Sequence, residues 1–199
     1  MRRLSLEKAM AVAEAIKLLY ARGLVQVKGG NVSVVDRGAG LVYISPSRVP
    51  RHTIKPTLVS VIGLDGSRIR GVPSSEWRLH VEIYKRIPGS ATVVHAHGPY
   101  SVMMAERLGD GEIVEPPLEE ALHTVNCIAI APRLPPGTRE LAEGVSGLLA
   151  GSGCRAAIIR GHGIVVYSGG DVYEALDALE SVEDSSLILL GRASPEGRR

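Results

Sequence analysis

Ala91-Thr92-Val93-Val94-His95-Ala96-His97-Gly98-Pro99 is the stretch on which the reading of this chain turns. Residues 91–95 have the β-branched, apolar make-up of a buried strand, and Gly98-Pro99 ends it. Side chains at i and i+2 of a strand share one face, so His95 and His97 project together from one sheet edge. Taken alone, His-x-His has two equal readings: a pair of metal ligands, or two hydrogen-bonded polar residues at a strand end.

Upstream of this strand, Pro73-Ser74-Ser75 opens a helix from about Glu76 to Arg86, closed by Pro88-Gly89. Before it, residues 31–70 carry short β-rich runs: Val32 to Val35, Leu41 to Ile44 and Leu58 to Ile62. Turn signals at Asp36 to Gly40 and at Asp65-Gly66 separate or end them. Residues 6–21 place Leu6, Ala9, Met10, Ala13, Ile16 and Tyr20 at helical spacing, with Ser5 as N-cap and Gly23 as stop. Downstream, Tyr100 to Leu108 reads as a short helix and residues 109–137 as a proline-punctuated loop. A helix from about Thr138 to Leu149 follows, then strands at Ala156 to Ile159 and Ile164 to Tyr167. The last helix runs from about Val172 to Leu190, and Ala193 to Arg199 is expected to fray. Most neighbouring strands are joined by short turns, which predicts a largely antiparallel sheet with helices on its faces. No repeat or linker divides the chain, so residues 1–199 are expected to form one domain.

Composition narrows the function classes. Hydrophobic residues make up 45% and charged residues 22% of the 199, a soluble globular mix. The formal net charge is +2 and no Lys/Arg run occurs, which argues against nucleic acid as a partner. Glu7 and Lys8 interrupt any apolar signal core after Met1-Arg2-Arg3-Leu4, and runs such as Leu187 to Leu190 are too short to span a bilayer. A cytoplasmic protein with no membrane partner is the expectation. Cys127 and Cys154 show no CxxC or disulfide-rich pattern and read as small buried apolar residues in a reducing compartment. The chain has one Gln, Gln26, and two Asn, Asn31 and Asn126; such amide depletion is one mark of heat-adapted proteins.

Four further elements bear on chemistry. His162 lies between Gly161 and Gly163 in a sharp turn joining two apolar strands, where small neighbours leave room for close approach. It reads either as a surface turn residue or as a third ligand. Three His ligands leave a tetrahedral ion one open position, the mark of a catalytic site, with Zn²⁺ the first choice and Co²⁺ or Mn²⁺ as alternatives. Ser74-Ser75-Glu76 is an ordinary capped helix start, yet the same hydroxyls and helix N-terminus suit a phosphate. His80, one turn beyond Glu76 on the same face, reads as a structural partner. Gly29-Gly30-Asn31 and Ser45-Pro46-Ser47-Arg48 are turns whose backbone and hydroxyls also suit an anion.

Together, Gly30-Asn31-Val32-Ser33, Ser45-Pro46-Ser47, Pro73-Ser74-Ser75-Glu76-Trp77-Arg78-Leu79-His80, Val94-His95-Ala96-His97 and Gly161-His162-Gly163 resemble the class II aldolase/adducin family, in the family's order. The resemblance runs from about residue 6 to residue 190. It implies an α/β fold, three-layer α/β/α with a mainly antiparallel central sheet, and a homotetramer with the metal near the subunit interface. It implies His95, His97 and His162 as metal ligands for one Zn²⁺ per chain, and Glu76 as the acid/base. Gly30, Asn31, Ser47, Ser74 and Ser75 would hold a substrate phosphate. The implied activity is that of a metal-dependent aldehyde-lyase. It would cleave a fuculose-1-phosphate-like ketose 1-phosphate, through an enediolate, to dihydroxyacetone phosphate and an aldehyde. Methylthioribulose-1-phosphate dehydratase and pentulose-phosphate 4-epimerase are rival reactions for the same site. A non-catalytic adducin-like module is disfavoured because the three histidines and Glu76 are all kept. Two features depart from the family. Arg48 stands where a Gly is usual, and Glu115 to Glu120 lacks the Tyr that fuculose-phosphate aldolase draws from a neighbouring subunit. Glu119 or Glu120 is then either the second acid or part of a solvated acidic turn.

Overall fold

The computed structural model describes residues 4–192. The basic start at residues 1–3 and the tail at 193–199 lie outside the described residues. The elements run α1 (Leu6–Ala21), β1 (Asn31–Asp36), β2 (Leu41–Ile44), β3 (Ser60–Gly63), β4 (Arg68–Arg70), α2 (Trp77–Arg86), β5 (Thr92–Ala96), α3 (Pro99–Ala105), β6 (Ile113–Val114), α4 (Glu119–Val125), β7 (Ile128–Ala131), α5 (Arg139–Ser152), β8 (Ala156–Ile159), β9 (Gly163–Ser168) and α6 (Val172–Arg192).

The nine strands of the described residues form one sheet in the order β4-β3-β2-β1-β5-β9-β8-β7-β6. Every pair is antiparallel except β7 and β8, whose parallel pairing needs the crossover that α5 supplies. Alternation along each strand sends neighbours to opposite faces. Val94, Ile164 and Val166 pack toward α1, α3, α4 and α6, with Ile16, Leu19, Met104, Val125 and Leu179. Val93 and Val165 pack toward α2 and α5, with Leu79, Ile83, Leu141 and Leu149. Both faces are therefore covered, giving the three layers, and burial of each such side chain stabilises the fold by about 1.5–3 kcal/mol.

Several boundaries differ from the reading of the sequence. Pro56–Leu58 forms a single 3₁₀ turn, so β3 starts at Ser60 and not at Leu58. The stretch at 109–137 is not a plain loop: it holds β6, α4 and β7. Those elements are two, seven and four residues long, too short for a periodic pattern to show. In α1 the buried face is Ala9, Val12, Ala13, Ala15, Ile16 and Leu19, while Leu6 and Met10 are exposed. The helix is apolar nearly all round, so spacing alone did not fix its phase. Cys127 and Cys154 are not separate apolar fillers. They are joined in a disulfide that ties the entry of β7 to the end of α5, across 27 residues of chain.

Candidate metal centre and anion pocket

The chemistry gathers at one end of the three central strands. Strand register sets Asn31 of β1 opposite His95 of β5, and His95 opposite Val165 of β9. His97 lies just past β5, and its N–H donates to the Leu24 carbonyl at 2.9 Å. Beyond it, Glu183 of α6 accepts the N–H groups of Tyr100 and Ser101 at 2.7 and 3.0 Å, which fixes the chain as it leaves the strand. His162 arrives on the turn before β9. A Cβ at Gly163 would stand 3.0–3.1 Å from the rings of His97 and His95 and collide with the Ala96 carbonyl, so only glycine lets that turn come this close.

His95, His97 and His162 each present a ring nitrogen, and the three atoms lie within 4.8 Å of one another. His95 Nδ1 donates to the Ile164 carbonyl at 2.9 Å, and His97 Nδ1 donates to Gln26 Oε1 at 2.6 Å. Both partners are acceptors, so the neutral rings carry hydrogen on Nδ1 and bare Nε2 lone pairs. Those two Nε2 atoms sit 3.2 Å apart. Two lone pairs so placed want a proton or a cation between them, and tetrahedral Zn–N bonds of about 2.0–2.1 Å set ligand nitrogens about 3.3 Å apart. His162 Nδ1 is buried without a partner. The three rings therefore fit a divalent ion, and the acceptors behind His95 and His97 are of the kind that orient metal-binding imidazoles.

Glu76, immediately before α2, completes the group. Its Oε2 is 3.2 Å from His95 Nε2 and its Oε1 is 3.3 Å from His162 Nε2. Oε1 is buried and accepts no hydrogen bond. Burial alone pushes the Glu76 carboxyl up, but His95, His162 and the Asn31 amide outweigh it and hold it below the usual carboxylate range. Burial pushes His95 down, while Glu76 more than restores it. Burial lowers His97 to about 4, with its imidazole neighbours adding to the effect, and it lowers His162 as well. Neutral rings are the form that binds metal.

Ser47, Ser74 and Ser75 line a cavity of about 640 Å³ together with Arg48, Arg68 and Arg78, and among the described residues no carboxylate lines it. Pro136 walls both this cavity and a second hollow that reaches His162. Gly30 and Asn31 do not line the cavity. Gly30 adopts φ +64 beside the His95 carbonyl, where a side chain has no room. Asn31 is 2% exposed, and its amide is committed to Glu76 and His80. Glu119 and Glu120 open α4; Glu119 is exposed and faces His123 at 3.7 Å. Among the described residues neither carboxylate bonds to Glu76 or to the three histidines.

Two contributors escaped the reading of the sequence. Gln26 orients His97, and its being the sole glutamine was the available signal. Arg51 is 3% exposed and donates to the carbonyls of Lys28, Gly29, Gly30, Pro46 and Val49, stapling the glycine turn to the serine turn. Burial lowers it to about 10, so it stays a cation at neutral pH. Nothing in its sequence context marked it.

The sequence pattern of the Class II Aldolase and Adducin N-terminal domain matches residues 10–190. The chain is 34% identical over 178 residues to the L-fuculose phosphate aldolase of Methanococcus maripaludis strain S2, covering 88% of this chain and 93% of that one. It is 31% identical over 170 residues to the 5-deoxy-D-ribulose 1-phosphate aldolase of Bacillus thuringiensis, covering 84% and 76%. The crystal structure of L-fuculose-1-phosphate aldolase from Thermus thermophilus superposes with a TM-score of 0.82 at 27% identity, covering 95% of this chain and 98% of that one. A three-histidine centre on a largely antiparallel sheet, in a chain matched nearly end to end by this pattern, belongs to a member of the class II aldolase and adducin family.

Proposed function

We propose that the chain is a zinc-dependent aldehyde-lyase, acting as one domain. It cleaves a ketose 1-phosphate of the fuculose 1-phosphate kind to dihydroxyacetone phosphate and an aldehyde. The observation that carries this reading is Glu76 Oε1, buried, unpartnered and 3.3 Å from His162 Nε2, within a ring of three convergent imidazoles.

His95, His97 and His162 would hold the ion, which supplies Lewis-acid stabilisation of the negative charge that C–C cleavage leaves on the substrate oxygens. Ser47, Ser74 and Ser75 bind the phosphate, with Gly30 shaping the adjoining turn and Arg48, Arg68 and Arg78 supplying positive charge. Anchoring that dianion orients the reacting carbons at the far end of the substrate. Glu76 Oε1 is the oxygen free to take a proton from the carbon beside the carbonyl, or to return it, as the enediolate forms and decays. Asn31 joins the phosphate set only by giving up its contacts with Glu76 and His80.

Assembly into a homotetramer is supported by an apolar hollow lined by Met104, Leu108, Ile113, Val114, Leu189 and Leu190. Heat adaptation is supported by the amide-poor composition together with the disulfide.

The test is a retro-aldol screen. Zinc-loaded protein is incubated with fuculose 1-phosphate, 5-deoxyribulose 1-phosphate and methylthioribulose 1-phosphate, with Glu76→Gln as control. Triose phosphate release that falls about 10²- to 10⁴-fold in E76Q is expected. Water loss without chain cleavage would replace the aldolase by the dehydratase, and full activity in E76Q would remove the assigned base.

A further inference from the structure

Behind the Glu76 carboxylate runs a file of buried side chains that the reaction above leaves unused. Tyr84 Oη lies 2.8 Å from Ser33 Oγ, and Ser33 Oγ lies 2.6 Å from His80 Nδ1. His80 Nε2 meets Asn31 Oδ1, and Asn31 Nδ2 donates to Glu76 Oε2 at 3.0 Å. Ser33, His80 and Tyr84 are 0% exposed and Asn31 is 2% exposed, so water does not compete for these groups.

Donor and acceptor rules give the file one direction once its end is fixed. A carboxylate only accepts, so the Asn31 amide must turn its NH₂ to Glu76. Its carbonyl oxygen then faces His80, and Nε2 must carry the hydrogen. A neutral ring protonated on Nε2 accepts at Nδ1, so Ser33 Oγ–H donates there, and the single Tyr84 hydroxyl hydrogen is shared between Ser33 Oγ at 2.8 Å and the Ser33 carbonyl at 2.9 Å. Burial keeps His80 neutral, at about 3, which agrees with a single ring hydrogen. The opposite direction also closes, but only with Glu76 protonated on Oε2, Asn31 flipped and His80 protonated on Nδ1.

We propose that His80 is a positioning residue for the reaction: through Asn31 it pins Glu76 Oε2 as a permanent acceptor, so that Oε1 alone handles the substrate proton. The inference rests on the aldolase reading above and adds to it the set of residues that aims the base. Two amide substitutions separate this role from mere packing. Gln at position 80 keeps an N–H where Nε2 stood, whereas Asn keeps only the group facing Ser33.

The experiment has two arms. In zinc-loaded wild-type protein, long-range ¹H–¹⁵N correlation spectra at neutral pH read the His80 tautomer. A ring protonated on Nε2 is expected, and one protonated on Nδ1, or on both nitrogens, overturns the proposal. This arm needs no substrate, so it judges the file even if the retro-aldol screen fails. In the second arm, His80→Asn is expected to lower kcat about 10- to 100-fold with KM changed less than about twofold, and His80→Gln to recover about tenfold of that loss. Equal kcat in the two variants, with metal content unchanged, rejects His80 as a positioning residue while leaving Glu76 as the base.

Discussion

His97 Nδ1 lies 2.6 Å from Oε1 of Gln26, the single glutamine of the chain, on the loop between α1 and β1. That contact fixes which nitrogen of His97 faces the other two rings. Replacing Gln26 by Leu leaves the ring free to rotate and to change tautomer. Zinc affinity is expected to fall about 10- to 100-fold, read by competition with a chromophoric chelator. An unchanged dissociation constant would show that the loop backbone orients the ring without help.

Arg48 holds φ +63, a conformation natural for glycine and strained for other residues, in the lining of the cavity that Ser47, Ser74 and Ser75 share with three arginines. Arg48→Gly removes a guanidinium from the cavity and relieves the backbone at once. KM for the phosphorylated ketose should rise about tenfold, the weight of one charge-assisted hydrogen bond, with kcat little changed. The thermal midpoint should hold or rise. A KM that stays put would place the phosphate away from this arginine.

The bridge between Cys127 and Cys154 closes a loop of 27 residues. In the chain-entropy picture, a loop of that size stabilises the fold by about 3–4 kcal/mol. The Cys127→Ser/Cys154→Ser double variant should therefore unfold about 8–15 °C below the oxidised wild type in a thermal scan. Added reductant should lower the wild type toward the variant and leave the variant where it was.

Acid should destabilise the metal-free protein before its carboxylates titrate. Burial holds His80 at about 3 and His97 at about 4 in the folded chain, against about 6.5 when unfolded. Between about pH 6.5 and 4 the unfolded chain therefore binds protons that the folded chain refuses. Stability falls as pH drops through that window, by about 1.4 kcal/mol per pH unit for the fully buried His80 and by less for the more open His97. His162, which burial also lowers, adds to the fall, whereas His95, which Glu76 pushes upward, acts with the opposite sign, toward the upper end of the window and above it. Urea midpoints at pH 7.0, 5.5 and 4.5 measure the effect, and His80→Gln should flatten it by half or more. A parallel decline in both proteins would assign the acid sensitivity to other groups.

The sequence by itself determined the chemistry available. The β-branched run into His95 and His97, the glycines around His162 and the helix start near Glu76 could be recognised from local pattern, because strand alternation and helix boundaries act over a few residues. The expected serine cap is absent, since Glu76 itself takes the N-cap position without a side-chain cap bond. So could the covering of a largely antiparallel sheet by helices, which follows from the lengths of runs and turns. Tertiary structure alone decided which of those groups meet. Asn31 lies opposite His95 because of the pairing of β1 with β5, and that register draws its amide onto Glu76 and away from the serine-lined cavity. The contact of Arg51 with Gly30, that of Gln26 with His97 and the Cys127–Cys154 bridge each join residues 21 or more positions apart. The buried side of α1 was chosen by what packed against it. Contacts of that kind depend on where distant strands and helices dock, and no local preference of the chain encodes them before the core has closed.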